Sequence, residues 1–243
     1  MSGHSKWAQI KHKKAATDAK RGNLFAKLAR AITIAAKDGA DPAMNFRLRL
    51  AIERARGFNL PADNIERAIL RATSTKENDE LASVMYEAYA PGGSAILIEG
   101  ITDNKNRTAA EIKHVLAAND GKFAETGSVG WMFQKKGAIF LPKAQNPQLD
   151  GDEMELLLID AGAEDIGEYD EGVAIYTTPE KRATVEERLR KGGLVIGDSS
   201  DCYIPKTPVT LPEGPEKERL RKLAAELELH DDVLNVWSNA EKL

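Results

Sequence analysis

Val84-Met85-Tyr86-Glu87-Ala88-Tyr89-Ala90-Pro91-Gly92-Gly93-Ser94-Ala95-Ile96-Leu97-Ile98-Glu99 is where the hydrophobic pattern of this chain changes period. Residues 84–89 and 95–99 have the length and composition of strands, and Pro91-Gly92-Gly93 supplies the turn of a hairpin between them. Upstream of Val84 the apolar residues recur at helical spacing. Downstream, strand and helix patterns alternate. The chain therefore reads as an α+β multidomain protein: an N-terminal helical bundle, an α/β domain, and a ferredoxin-like domain inserted into it.

Three helices are predicted before the hairpin. The first covers about 22–37, with Leu24, Phe25, Leu28, Ile32 and Ala35 on one face and Gly39 at its left-handed cap. Asp41-Pro42 has the form of an N-cap followed by proline at the first helical position, opening a helix that stops at Gly57. Arg47 and Arg54 share one side of that helix, and Arg49 and Arg56 another, because seven residues make nearly two turns. Pro61 begins the third helix, through Ile65, Ala68, Ile69 and Ala72. Thr73 to Asp79 is a polar linker.

Beyond the hairpin, Thr108-Ala109-Ala110-Glu111 has the pattern of a capping box leading into a helix that ends at Asn119-Asp120-Gly121. From Gly137 to Pro205 the order is strand 138–141, helix 152–161, strands 165–169 and 173–177, a helix running to Lys191, and a strand at Cys202-Tyr203-Ile204, with Leu194–Ile196 a further strand candidate. That β-α-β-β-α-β order is the split βαβ of ferredoxin-like folds. A helix at 215–229 and a strand at 233–237 cannot enclose a core by themselves, so they are expected to complete the sheet begun at Val84. The domain boundaries that follow are 1–80, 81–135 with 207–243, and 136–206.

Charge is strongly polarised along the chain. The first 30 residues carry eight Lys or Arg against one acid, Asp18. Residues 1–72 hold 15 basic and 6 acidic residues, a net of +9, whereas the remaining 171 hold 19 and 32, a net of -13. A basic arm and bundle on an acidic body point to a polyanionic partner. Apolar content of 42% with 30% charged residues is ordinary for a soluble globular protein. No apolar run approaches the roughly 20 residues that span a bilayer, and the N-terminus lacks the apolar core of a signal peptide. A single cysteine, Cys202, fits a reducing compartment, so a cytoplasmic location is expected.

Catalytic signatures are lacking in the sequence. The four histidines, His4, His12, His114 and His230, have no carboxylate at metal-ligand spacing, and there is no HExxH, CxxC or P-loop. Neither an enzyme, a cofactor, a metal nor a small-molecule substrate is expected. Nucleic-acid contact is assigned instead to Lys6, Trp7, Lys11, His12, Lys13, Lys14, Lys20, Arg21, Lys27, Arg47 and Arg54. Lysine and arginine neutralise phosphates and release counterions, and Trp7 either stacks on a base or anchors the arm to the bundle. A second candidate is an anion site at Asn104, Lys105, Arg107 and Thr108, where a strand end meets a helix N-terminus. Its alternative is a plain turn, since Asp and Asn are standard turn formers.

Several of these segments together resemble the YebC/PmpR family. They are Gly3-His4-Ser5-Lys6-Trp7 with Ile10-Lys11-His12-Lys13-Lys14, Asp18-Ala19-Lys20-Arg21, Tyr86 to Gly93, Thr102 to Thr108, and Gly127-Ser128-Val129-Gly130-Trp131-Met132-Phe133. Ala88 and Gly130 depart slightly from the residues common in the family. The resemblance implies the same three-part architecture. It also implies a nucleic-acid-binding regulator of gene expression, described for bacterial members as a DNA-binding transcriptional regulator. Other members resemble ribosome-associated factors that bind ribosomal RNA and relieve stalled translation, and mitochondrial relatives are translational activators. DNA and ribosomal RNA both remain open as partners, with a monomer favoured and no membrane involved.

Overall fold

A computed structural model describes residues 18–74, 81–147, 149 and 152–241, with a helical segment before Val84 and two four-stranded sheets after it. The helical segment comprises α1 (Asp18–Ala36), α2 (Phe46–Gly57) and α3 (Ala62–Thr73). Leu28, Ile32, Leu48, Ile52, Ile65 and Ala68 form its core, and the Thr33 hydroxyl ties α1 to α3 by donating to the Ala68 carbonyl at 3.0 Å. The start of α2 differs from the sequence expectation. Asp41 organises only a turn, its carboxylate accepting from Ala43 N–H at 2.8 Å, and the N-cap is Asn45. The Asn45 side chain accepts from Leu48 N–H and donates to the carbonyls of Ala35 and Gly39. Asparagine can accept and donate at once, so it caps α2 while also holding the end of α1.

The first sheet has the order β3-β1-β2-β8. Strands β1 (Ala82–Ala90) and β2 (Ser94–Thr102) pair antiparallel from Ala82 opposite Thr102 to Ala90 opposite Ser94. Between them Gly92 and Gly93 adopt φ of 70° and 71°, where a side chain would be strained. Helix α4 (Lys105–Ala118) leads to β3 (Lys122–Ala124), which pairs with β1 around Glu87 and Tyr89. Ile96, Ile98, Ile112, Leu116, Leu220, Leu223 and Val236 fill this core. The last two elements, α7 (Pro215–Leu229) and β8 (Val233–Ser238), return to it, with β8 antiparallel to β2. The register shifts at Gly100, where a Cβ would lie 2.5 Å from the Asp232 carbonyl, so only glycine lets β2 pass the start of β8 so closely.

The second sheet has the order β5-β6-β4-β7. Its elements run β4 (Phe133–Pro142), α5 (Asp152–Ala161), β5 (Asp165–Tyr169), β6 (Gly172–Thr177), α6 (Arg182–Lys191) and β7 (Asp198–Pro205). Strand β4 begins at Phe133, before the expected Ala138, and residues 194–196 form no strand. Ile139, Leu141, Leu158, Ile175, Val185 and Leu189 form the core, and Cys202 is buried as a small packing residue. By contact density, residues 134–204 form one unit and the described segments flanking them another.

Candidate nucleic-acid interface

The basic residues of the helical segment divide into those spent within the fold and those left available. Lys6, Trp7, Lys11, His12, Lys13 and Lys14 lie outside the described residues. Lys20 and Arg21 fall in the first turns of α1. Lys27 is only 7% exposed and donates to the Glu228 carbonyl at 2.5 Å, so its assignment to phosphate contact is corrected: it docks α1 onto the end of α7. Asn23 reaches the same region, donating to the Leu229 carbonyl. Arg47 pairs with Asp38 at 2.9 Å in a highly exposed contact that contributes little and exchanges readily. Arg49 donates to the carbonyls of Pro42 and Ala43 and lies over the Phe46 ring. Arg54 and Arg56 near the end of α2, and Arg71 on α3, have no side-chain partner among the described residues. The Arg54 Nε is buried and unbonded.

The turn at Thr102 to Thr108 has a different role from the one expected. Asn104, not Thr108, is the N-cap of α4, accepting from Arg107 N–H at 3.0 Å. Thr108 lies one turn inside the helix and is fully buried. Its hydroxyl bonds the Asn104 carbonyl, the Thr102 hydroxyl at 2.7 Å and the Asp232 carboxylate at 2.6 Å. Arg107 donates to the same Asp232 oxygen at 2.7 Å and to Asp103 at 2.9 Å. From α1, Arg30 closes the set on the second Asp232 oxygen at 2.6 Å. The candidate anion site at Asn104, Lys105, Arg107 and Thr108 is thus corrected: the anion held by Arg107 and Thr108 is the protein's own Asp232, and Lys105 stays exposed beside it.

Burial pushes the Asp232 carboxyl up, but the bonds from Thr108, Arg107 and Arg30 outweigh it and hold the group at about 2. His230 completes the network. Asp232 N–H donates to His230 Nδ1 at 3.1 Å, which leaves the proton on Nε2, 3.0 Å from Glu111. Glu111, His230 and Asp232 offer atoms within 4.8 Å of one another, a spacing that also suits a cation. Two guanidinium groups already neutralise Asp232, and the imidazole presents a proton to Glu111, so the set works as a clasp between α1, α4 and β8.

A second buried carboxylate joins two further motifs. Glu87, on β1, accepts backbone N–H bonds from Gly127 at 2.7 Å, Val129 at 2.7 Å and Gly130 at 2.8 Å. Burial raises its carboxyl and these three bonds together lower it further, so the group stays ionised below the usual carboxylate range. At Gly130 a Cβ would lie 3.1 Å from the carboxylate, so a side chain there would have to shift Glu87 by a few tenths of an ångström. Sequence reasoning missed both Asp232 and Glu87. The signal for Glu87 was available: an acid inside an apolar strand demands several donors, and a glycine-rich loop supplies them.

The N-terminal domain model of the TACO1/YebC proteins matches residues 5–75, and the model of their second and third domains matches residues 81–240. A relative from Natranaerobius thermophilus is 46% identical over 98% of this chain and 96% of its own length. One from Fervidobacterium nodosum is 48% identical over 98% of this chain and 93% of its own. Both carry the name "probable transcriptional regulatory protein". The crystal structure of a conserved hypothetical protein from Aquifex aeolicus superposes with a TM-score of 0.89 at 40% identity, covering 98% of this chain and 97% of that one. With both domain models matched in order and identity near one half over the full length, the chain belongs to the TACO1/YebC family.

Proposed function

We propose that this chain is a nucleic-acid-binding regulator of gene expression, acting on DNA in transcription through a basic module spanning residues 1–80. The observation that carries the reading is the separation of charge: a net of +9 in residues 1–72 against -13 in the rest. Within the described part of that module, Arg54, Arg56 and Arg71 lack internal partners, which leaves them for phosphate oxygens. The names of the bacterial relatives support a regulatory role in transcription. The working arrangement is the basic module, an α/β domain of residues 81–135 with 207–243, and a ferredoxin-like domain of residues 136–206 whose acidic residues would repel a polyanion. The setting is the cytoplasm, without a cofactor.

Replacing Lys11, Lys13 and Lys14 by Ala tests the reading. Affinity for DNA and RNA is expected to fall across sequences and its salt dependence to flatten by about 3 phosphate contacts. Unchanged affinity and salt slope in that variant would exclude the arm. A second reading, a ribosomal-RNA-binding translation factor, is favoured by two solvent-facing aromatic side chains, Tyr89 and Trp131, because unpaired bases stack on such rings. Crosslinking in growing cells, with sequencing of bound DNA and bound RNA, separates the two: promoter enrichment supports transcription, ribosomal RNA recovery supports translation.

A further inference from the structure

Trp131 and Tyr89 are large aromatic side chains that the protein's packing leaves in solvent, at 64% and 43% exposure. They belong to different motifs, Gly127 to Phe133 and Tyr86 to Gly93, which Glu87 brings together. Met85, Glu87 and Tyr89 alternate onto the face of β1 opposite the core that holds Ala88 and Ala90. Glu87, between the two exposed side chains, turns its charge onto the N–H groups of Gly127, Val129 and Gly130, and Trp131 follows directly. The indole is oriented by its own loop, Nε1 donating to the Ser128 carbonyl at 3.0 Å. Its single polar group is thereby satisfied while the ring remains exposed.

The backbone places two lysines near these residues. Lys122 is the cross-strand partner of Tyr89 in the β1–β3 pair, which puts both side chains on the same face, and it is exposed. Lys206 is also exposed, and its backbone N–H bonds the Met132 carbonyl at 2.8 Å, one residue from Trp131. Exposed aromatic rings, exposed lysines on neighbouring backbone and a carboxylate spent inward are the chemistry of a surface for unpaired nucleotides. We infer that Tyr89 and Trp131, with Lys122 and Lys206, form a stacking platform for single-stranded RNA, separate from the basic module. The inference rests on the nucleic-acid reading and gives it a second contact, one that discriminates strand state.

The test measures binding of the full chain to a short fluorescein-labelled oligouridine and to a duplex DNA, across salt concentrations. Trp131→Ala is expected to weaken oligouridine binding by about tenfold and Tyr89→Ala by somewhat less, with the salt slope and duplex binding unchanged. Trp131→Phe should retain most of the affinity. Because a truncated loop residue can disturb folding, ultraviolet crosslinking of oligouridine to the unaltered chain gives a second readout. The adduct is expected on the peptide carrying Tyr89 or Trp131. Unaltered oligouridine affinity in Trp131→Ala, equal losses on both probes, or no adduct on either peptide overturns the platform. In those cases a persisting loss in the Lys11, Lys13 and Lys14 variant leaves the nucleic-acid reading standing. If the unaltered chain binds neither probe, that reading fails first and the platform falls with it.

Discussion

Asp232 shows how much one carboxylate can carry. It is 3% exposed and bonded to Thr108, Arg107 and Arg30 from two helices. A folded value of about 2 against an ordinary 3.8 means that the folded state binds its proton more weakly than the unfolded chain does. The carboxylate therefore contributes about 2 kcal/mol above roughly pH 4, and the contribution disappears as pH falls through about 2. Urea titrations from pH 6 downward should show this loss in the native chain and not in Asp232→Asn. At neutral pH Asp232→Ala should cost about 2 kcal/mol, since it removes the carboxylate shared by Thr108, Arg107 and Arg30, while Thr108 keeps the Asn104 carbonyl and Arg107 keeps Asp103. Glu87 makes the parallel case. Glu87→Ala should cost about 2 kcal/mol and speed amide exchange at Gly127, Val129 and Gly130, measured by NMR, without altering the exchange of α2.

Among elements, α2 separates folding from contact. Its cap is Asn45, so Asn45→Ala should destabilise by about 2 kcal/mol, the cap and two further bonds being lost together. Asp41→Ala, which removes only a turn bond, should cost well under half of that. Both values come from urea melts. The arginines at the other end act differently: Arg54→Ala with Arg56→Ala should leave the melting temperature nearly unchanged while reducing the salt slope of DNA binding by about 2. Lys27→Ala should do the reverse, because that amine serves α7 and not a ligand. Helix existence was legible here from apolar spacing alone. The caps of α2 and α4 were not, because Asp41-Pro42 and Thr108-Ala109-Ala110-Glu111 satisfy local capping patterns, while Asn45 and Asn104 each lie one turn away and win through bonds to groups elsewhere in the fold or to a better-placed N–H.

For the molecule as a whole, the contacts of Asn23, Lys27 and Arg30 with residues 228–232 couple the helical segment to the first sheet. A double-mutant cycle between Arg30→Ala and Asp232→Asn should return a coupling of about 1–2 kcal/mol. Unfolding of α1 and of β8, followed by hydrogen exchange, should coincide in the native chain and separate in Lys27→Ala combined with Arg30→Ala. This coupling gives a binding event on the basic module a physical route to the sheet, since Arg30 lies on α1 and its partner Asp232 lies one residue before β8.

The sequence by itself determined where the period changes at Val84, which segments are helices and most of those that are strands, and that positive charge gathers before residue 73. Those properties are written in neighbouring residues, through spacing, turn chemistry and composition. Tertiary structure alone decided which charges remain available. Lys27 and Arg107 read as ligand-binding cations in the chain, yet their acceptors, Glu228 and Asp232, lie 201 and 125 residues away. A local pattern shows that a charge exists, but only the fold brings an acceptor, a backbone carbonyl for Lys27 and a carboxylate for Arg107, to within 3 Å of it, and at that distance the internal partner wins.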